Sequence, residues 1–371
     1  MKELLYLSLD SLEEGVGASQ VLAYMRKISQ KRPVKIISFE KTKPTSDRVS
    51  QIESTNLRWD PLPFGRYGLI GGFSRVFRMW QRIERHKIIH ARSTLPGIAA
   101  LLKIPNFWIW DCRSLQADQR LALKNKNRLN LEILILRGAE YLLAKFSSRI
   151  IVITKAVVPV LQKRYGLEKS KIHFITTCVD TEKFYIRKRK KNDNIRILMS
   201  GTFSPAYDIN LINQIIVELK LRTKVELTVA TGSGATSLWQ ELQYSKVVSV
   251  PHHQMPNLIQ DHDLGISIWK NDLGICLTSV ASTKTAEFLS CGKPVLINEL
   301  QGDYGDLVKK SKVGIVTSKS DRKAVINYAE QIINLMKDKN LDLRCRETAL
   351  KYLSIDAAIV QLENLYSQAD T

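Results

Sequence analysis

The sequence has few cysteines and no way of pairing them that stands out. Cys112, Cys178, Cys276, Cys291 and Cys345 are odd in number, widely spaced and without a CxxC pair. This argues against a disulfide framework and a zinc ribbon and makes a reducing cytoplasm the expected setting. Long hydrophobic runs are also missing. The uncharged stretch from Leu4 to Leu9 is too short for a signal-peptide core, and residues 131–146 are broken by Glu132, Arg137, Glu140 and Lys145. The expectation is a protein that touches a membrane without crossing it. Acidic residues are scarce beside basic ones: 36 Asp and Glu against 56 Lys and Arg, a formal charge of +20. That surplus calls for anionic partners such as phosphorylated substrates, acidic membranes or nucleic acid. Specific nucleic-acid recognition lacks its usual marks, with no zinc, RRM-like or basic-zipper pattern and no aromatics interleaved with the basic runs.

What is present is a folded chain of 371 residues, 44% hydrophobic and 25% charged, long enough for two domains. Buried strands are expected at Leu4 to Leu9, Val34 to Phe39, Ile88 to Ala91, Phe107 to Trp110 and Ile150 to Thr154, with amphipathic helices between them. A second series follows at Ile195 to Ser200, Val225 to Thr231, Lys246 to Val250, Leu264 to Ile268, Pro294 to Ile297 and Gly314 to Val316. Alternation of this kind predicts an α/β fold of two doubly wound, Rossmann-like halves, with ligands at the carboxyl ends of the strands. The expected boundaries are 1–184 for the N-terminal domain, 185–194 for a basic linker, 195–350 for the C-terminal domain and 351–371 for a closing helix. The run from Arg187 to Lys191 reads as a solvated linker rather than an anion site.

Two loops are candidates for phosphate. Gly15-Val16-Gly17-Ala18-Ser19 joins the first strand to a helix expected to open at Ser19. It is neither GxGxxG nor a P-loop, so phosphate or acceptor contact and a plain steric turn stand level. The segment from Ser279 to Pro294 is richer. Ser282 and Thr283 suit a helix cap, Thr285 to Cys291 should form a short helix, and Gly292 with Pro294 should stop it. Lys284 stands at the mouth of that helix and suits a diphosphate, while Glu287, one turn in, suits a ribose diol. A capped connecting helix with exposed Lys and Glu is the alternative. His90 suits either a ligand contact or a hydrogen-bonded core position. His252 and His253 suit solvent or a nucleotide-base pocket rather than a metal. Asp261-His262-Asp263 spells a DxD, but at the start of a buried strand, where metal ligation is disfavoured.

The run from Ser282 to Ile297, STKTAEFLSCGKPVLI, resembles the donor-site signature of the family 4 retaining glycosyltransferases, commonly written SPTKxxEYLAxGxPVI. Further segments match in order: His90 to Ser93, Trp110 to Arg113, Ile153-Thr154, Cys178 to Phe184, Ser200-Gly201-Thr202 and Asp263 to Ile266. The similarity covers almost the whole chain. It implies a GT-B fold, two Rossmann-like domains with an interdomain cleft, and transfer of a sugar with retention from a UDP- or GDP-linked donor to a hydroxyl acceptor. No cofactor or obligatory metal is implied.

Carried over by residue, the resemblance implies that Glu287 binds the ribose, that Lys284 and the Ser282 and Thr283 amides bind the diphosphate, that Gly17 meets the donor phosphate or the acceptor, and that Gly201 lines the donor site. The loop from Val250 to Met255 matches the one that usually holds the base. Asp111 and Arg113 form an Asp-x-Arg pattern seen in a subgroup, where other members have a histidine, and with His90 and Lys284 they make up the expected catalytic set. Ser279 replaces a Glu common eight residues before the ribose Glu, and the Arg and Lys that many members use on the diphosphate have no counterpart in 200–208. The resemblance further implies bacterial surface polysaccharide or glycolipid assembly, a carbohydrate or lipid-linked acceptor and a peripheral position on the inner face of the plasma membrane. A catalytically silent protein of the same fold, or a basic nucleic-acid-binding protein, is the alternative. Two basic, partly apolar segments, 75–87 and 120–149, are expected to put their apolar stripes in the core and their charges in water.

Overall fold

The computed structural model describes residues 1–13, 15–84, 88–123, 130–187, 194–201, 204–231, 241–243 and 245–370. The chain divides into two compact units, one made of Met1–Thr176 with the segment from Ile355 onward, the other of Thr177–Ser354. The divisions fall at 176/177 and 354/355 rather than at the expected 184 and 351. Residues 177–187 are held inside the second unit by Val179 N–H donating to the Leu353 carbonyl (2.8 Å) and by the Phe184 and Thr181 carbonyls accepting from Arg346. Most of the basic run, residues 188–191, lies outside the described residues.

The first unit is built on seven parallel strands in the order β3-β2-β1-β4-β5-β6-β7. They are β1 (Leu4–Leu7), β2 (Val34–Glu40), β3 (Leu57–Pro63), β4 (Ile88–Arg92), β5 (Trp108–Cys112), β6 (Arg149–Val152) and β7 (Ile172–Phe174). Covered on both faces, the central strands are apolar runs such as LLYL, buried throughout, as parallel sheets require. β1 stops two residues short of the expected Leu9. The two edge strands are additions to the expected set. β3 carries Pro61 and Pro63, which an edge strand tolerates because one side of its ladder is unpaired. β7 has only three residues.

The helices Gly68–Arg82, Thr94–Lys103 and Leu131–Phe146 pack in series, their inner sides meeting the sheet through Val76, Met79, Ala99, Ala100, Leu143 and Ala144. The helix Ile355–Ser367 packs beside Ala23–Ile28. Arg32, 1% exposed, pins the C-terminal segment through Glu363 and Asp370, each at 3.1 Å.

The second unit has six parallel strands in the order β10-β9-β8-β11-β12-β13. They are β8 (Ile195–Ser200), β9 (Val225–Thr231), β10 (Ser245–Ser249), β11 (Leu264–Ser267), β12 (Val295–Asn298) and β13 (Gly314–Thr317). In each sheet the winding direction reverses once, between β1 and β4 and between β8 and β11. Such a reversal leaves a crevice at the carboxyl ends of the two strands, the usual ligand position in open α/β sheets.

Candidate functional site

At the β1/β4 reversal, side chains alternate in and out of the helix-covered core, so Tyr6, His90 and Asp111 share the other face. Tyr6 and His90 are register partners with ring centroids 4.5 Å apart. His90 Nε2 lies 3.4 Å from Asp111 Oδ2, and His90 Nδ1 lies 2.7 Å from the Tyr366 hydroxyl. Arg113 (3.6 Å) and Arg92 (3.7 Å) flank the same carboxylate, and Arg92 Nε also donates to Asp10 at 2.8 Å. Burial works to raise the Asp111 pKa, but Arg113, then His90 and Arg92, outweigh it and hold it down to about 2. Burial lowers the His90 pKa despite the neighbouring carboxylate, so the ring is neutral at pH 7. Tyr6 is pushed up to about 12 by burial. Tyr6, His90, Arg92, Asp111 and Arg113 line a small space of about 20 Å³, the room one water needs.

The expected residues His90, Asp111 and Arg113 therefore come together, joined by four that sequence reasoning did not assign: Tyr6, Asp10, Arg92 and Tyr366. Arg92 stood inside a matched segment, but nothing local marked Tyr366. Ser93, the next residue, has φ 78° without being glycine, and its hydroxyl accepts from Gln116 (2.9 Å). Strain of this kind gathers at functional sites.

Gly17 is fixed by the geometry of its own loop. A Cβ there would lie 1.8 Å from the Ser11 carbonyl oxygen, so glycine is required by the loop's own backbone. The helix does not open at Ser19. That residue lies inside a wide π-type turn, Gly17–Leu22, with its hydroxyl donating to the Gly15 carbonyl. Buried Glu40 holds the preceding loop, accepting from the Ser11 hydroxyl, the Leu12 N–H (3.1 Å) and the Ser38 hydroxyl (2.6 Å).

At the β8/β11 reversal the signature helix spans Thr283–Ser290, two residues earlier than expected at its start, and Gly292 at φ 73° ends it. Ser282 occupies the N-cap in extended conformation but makes no side-chain cap bond, leaving the first-turn N–H groups without that partner. Lys284 reaches over Gly201, where a Cβ would lie 3.0 Å from its Cε and 3.3 Å from its Nζ. Among the described residues Lys284 has no carboxylate partner. Thr202, next to Gly201 in the matched segment, lies outside the described residues, as does Phe203.

Glu287 is not on an exposed helix face. Its carboxylate is buried, and His252 Nε2 stands 3.5 Å away, with Phe184 edge-on to the imidazole. That pairing was invisible in sequence because the two residues sit on separate helical elements that only the fold brings together. The hydroxyls of Ser200, Thr231 and Thr285 are buried nearby in the same unit with no hydrogen-bond partner among the described residues. Ser279 turns its hydroxyl onto the Cys276 carbonyl at 3.1 Å.

In the DxD-like triplet, Asp261 pairs with Arg187 (2.8 Å), His262 Nδ1 lies 2.7 Å from the Leu258 carbonyl, and Asp263 binds Arg196. A shallow depression of about 610 Å³ lies at the opposite, amino ends of β8 and β9 beside Lys220 and Glu226, and none of the candidate residues lines it.

Residues 17–183 match the family model described as Glycosyltransferase Family 4. A curated relative, chitobiosyldiphosphodolichol beta-mannosyltransferase of Candida albicans, is 25% identical over 260 residues, covering 62% of this chain and 55% of the relative. The match thus spans about half the length of that relative. Sucrose-phosphate synthase from Thermosynechococcus elongatus superposes with a TM-score of 0.76 at 15% identity, over 99% of each chain. Anabaena HepE in complex with UDP-glucose gives 0.72 at 14% identity, over 99% of this chain and 100% of that one. At such identities the superpositions speak to fold. Together these findings show that residues 17–183 are similar to the family 4 glycosyltransferases and that the chain has the GT-B fold.

Proposed function

We propose that the protein moves a sugar from a UDP- or GDP-linked donor to a hydroxyl of a carbohydrate or lipid-linked acceptor, with retention and without an obligatory metal. The observation that carries this reading is the second unit's constellation: Lys284 over Gly201 at the start of the Thr283–Ser290 helix, with buried Glu287 one turn in. A helix N-terminus and an ammonium without a carboxylate partner among the described residues suit a diphosphate, and a buried carboxylate suits a ribose diol. Lys284 then stabilises the charge that grows on the leaving diphosphate as the glycosidic bond breaks. His252 beside Glu287 belongs with the base.

Retention is supported by what Asp111 is poorly suited to do. A general base works best with a pKa near the working pH, whereas Asp111 is held near 2 and flanked by three neighbours. Its part, with Arg113 and His90, is to hold acceptor or sugar in place, and Gly17 meets the donor phosphate or the acceptor. The relatives named for a beta-mannosyltransferase and for a complex with UDP-glucose favour sugar transfer from a nucleotide donor, whatever its stereochemical outcome. We also propose peripheral attachment to an anionic inner membrane face in surface polysaccharide or glycolipid assembly, favoured by the +20 charge.

Thermal shift with UDP, GDP and ADP tests the donor site, since a ligand that binds the native state raises its melting temperature. Stabilisation by random-sequence DNA at physiological salt, with none by nucleotide, would overturn the reading. The anomeric configuration of the product, read by NMR, tests retention. A catalytically silent binding protein is the second reading, favoured by Ser279, which has no carboxylate to offer and whose hydroxyl is already engaged. Nucleotide stabilisation without product formation would decide for it.

A further inference from the structure

The first unit's helix layer has apolar side chains on the side away from the sheet as well as on the side against it. In Gly68–Arg82, Val76 and Met79 are buried, yet Ile70 (84% exposed), Phe73 (64%) and Phe77 (56%) form a second stripe at helical spacing. In Leu131–Phe146, Ile133 and Leu143 are buried while Leu131 (66%), Leu134, Leu142 and Phe146 (60%) are not. The helix between them ends at Ile104, 82% exposed and at φ 50°. A β-branched residue in the left-handed region is strained, and glycine or asparagine would fit better. The expected arrangement, with apolar stripes in the core and only charge outside, is thus corrected for both segments. Residues 85–87 and 124–129 of those segments lie outside the described residues.

We infer that the outer side of this three-helix layer is a docking face for an anionic lipid bilayer, entered by apolar side chains and framed by basic ones. Scattered exposed apolar residues need no explanation, but a face made by three adjoining helices does. Its frame is mainly basic. No acidic residue occurs in 61–83 or 94–107, Arg66, Arg82 and Lys145 are exposed around the apolar stripes, and of the nearby acids Glu132 pairs with Arg120, Glu84 with Lys35, and Glu140 is buried. Tyr67, 76% exposed, and Trp80, with the Lys103 ammonium 4.7 Å from its ring centroid, bring the amphipathic aromatics that settle at headgroup depth. This is the composition of a surface that lies in a membrane interface. A second copy of the chain is a poorer occupant, because a two-fold contact through this face would set like basic frames against each other.

The inference deepens the peripheral attachment proposed above and rests on it for the choice of partner. Charge alone would give attachment that salt abolishes, whereas inserted apolar side chains hold on when screening is complete.

The full chain is sedimented with phosphatidylcholine vesicles with and without phosphatidylglycerol, at low salt and at about 1 M, where the Debye length falls to roughly 3 Å. The wild type is expected to prefer the anionic vesicles and to stay partly bound to them at high salt. The double variant Phe73→Ser/Phe77→Ser should keep its melting temperature, since both side chains are exposed, and should partition about tenfold more weakly. Complete release of the wild type at high salt would overturn the inference. So would equal partitioning of wild type and variant, or a dimer in gel filtration that the variant abolishes while vesicle binding is unchanged. Nucleotide thermal shift on both proteins reads the donor site by itself. If it is lost with salt-resistant docking intact, the proposed reaction falls and the docking face stands.

Discussion

The two sheet reversals carry polar groups in opposite states of completion. In the first unit, charges are already balanced: Asp111 is ringed by His90, Arg92 and Arg113, Arg92 also holds Asp10, and His90 is tied to Tyr366. In the second, Lys284 lacks a carboxylate partner among the described residues, and Glu287 has only a half-exposed histidine. The first arrangement is preorganised and helps hold its own unit together. The second leaves its charge and hydrogen-bonding capacity for a polar ligand, which preorganised sites use at developing charge. Substitutions in the first unit should therefore show up mainly in stability, and those in the second mainly in binding and rate.

Asp111→Ala should give the largest effect. Removing the carboxylate leaves two arginines facing each other in a buried setting, a change that costs about 3–5 kcal/mol when one partner of a buried pair is lost. Urea unfolding should show it, and a loss as small as that of a surface mutation would break the contrast. Lys284→Ala should lower kcat on the order of 10²-fold with little change in melting temperature. An effect confined to KM would remove Lys284 from the transition state. Glu287→Ala should weaken UDP or GDP binding, measured by calorimetry, by about 1–3 kcal/mol. Unchanged affinity in a folded variant would sink the ribose assignment.

Tyr366→Phe should cost about 1 kcal/mol of stability, because the His90 Nδ1 bond is lost while the ring is kept. The same histidine sharpens the comparison through pH. Its folded pKa lies below the unfolded value of 6.5, so in the window between the two the unfolded chain binds the extra proton. The stability it contributes is fully present above 6.5 and is lost as the pH falls through the folded pKa. Melting temperature should accordingly drop on acidification below about 6.5, less steeply in His90→Gln. A variant with the same acid slope as wild type would place the titration on other buried histidines, such as His262, whose pKa burial also lowers.

The architecture was legible wherever burial on both faces made a strand apolar from end to end, as in Ile195 to Ser200. It was illegible at the edges, where β3 mixes Arg58, Asp60 and two prolines and reads as a loop. Lys284 and Gly201 could each be singled out by local pattern, but not the approach of one to the other. His252 beside Glu287 and Tyr366 against His90 are joined only by the fold, the second pair across 276 positions. Helical periodicity revealed amphipathic segments around Phe77 and Leu131. It could not tell which of two apolar sides the sheet would cover, since a helix that is apolar on both sides has no single preferred face.

Unit membership runs against the order of synthesis. The last strand of the first sheet ends at Phe174, but Glu363, Tyr366 and Asp370, which neutralise or orient Arg32 and His90, emerge only after the whole second unit. At roughly 5–20 residues per second the delay is on the order of 10 to 40 s. Throughout it, the nascent first unit holds an arginine without its two carboxylates and a histidine without its hydroxyl. A ribosome-bound chain stopped at Ser354 should therefore be more open to protease around Arg32 than one that includes Ile355–Ser367, which makes this helix a built-in check that the second unit has been synthesised.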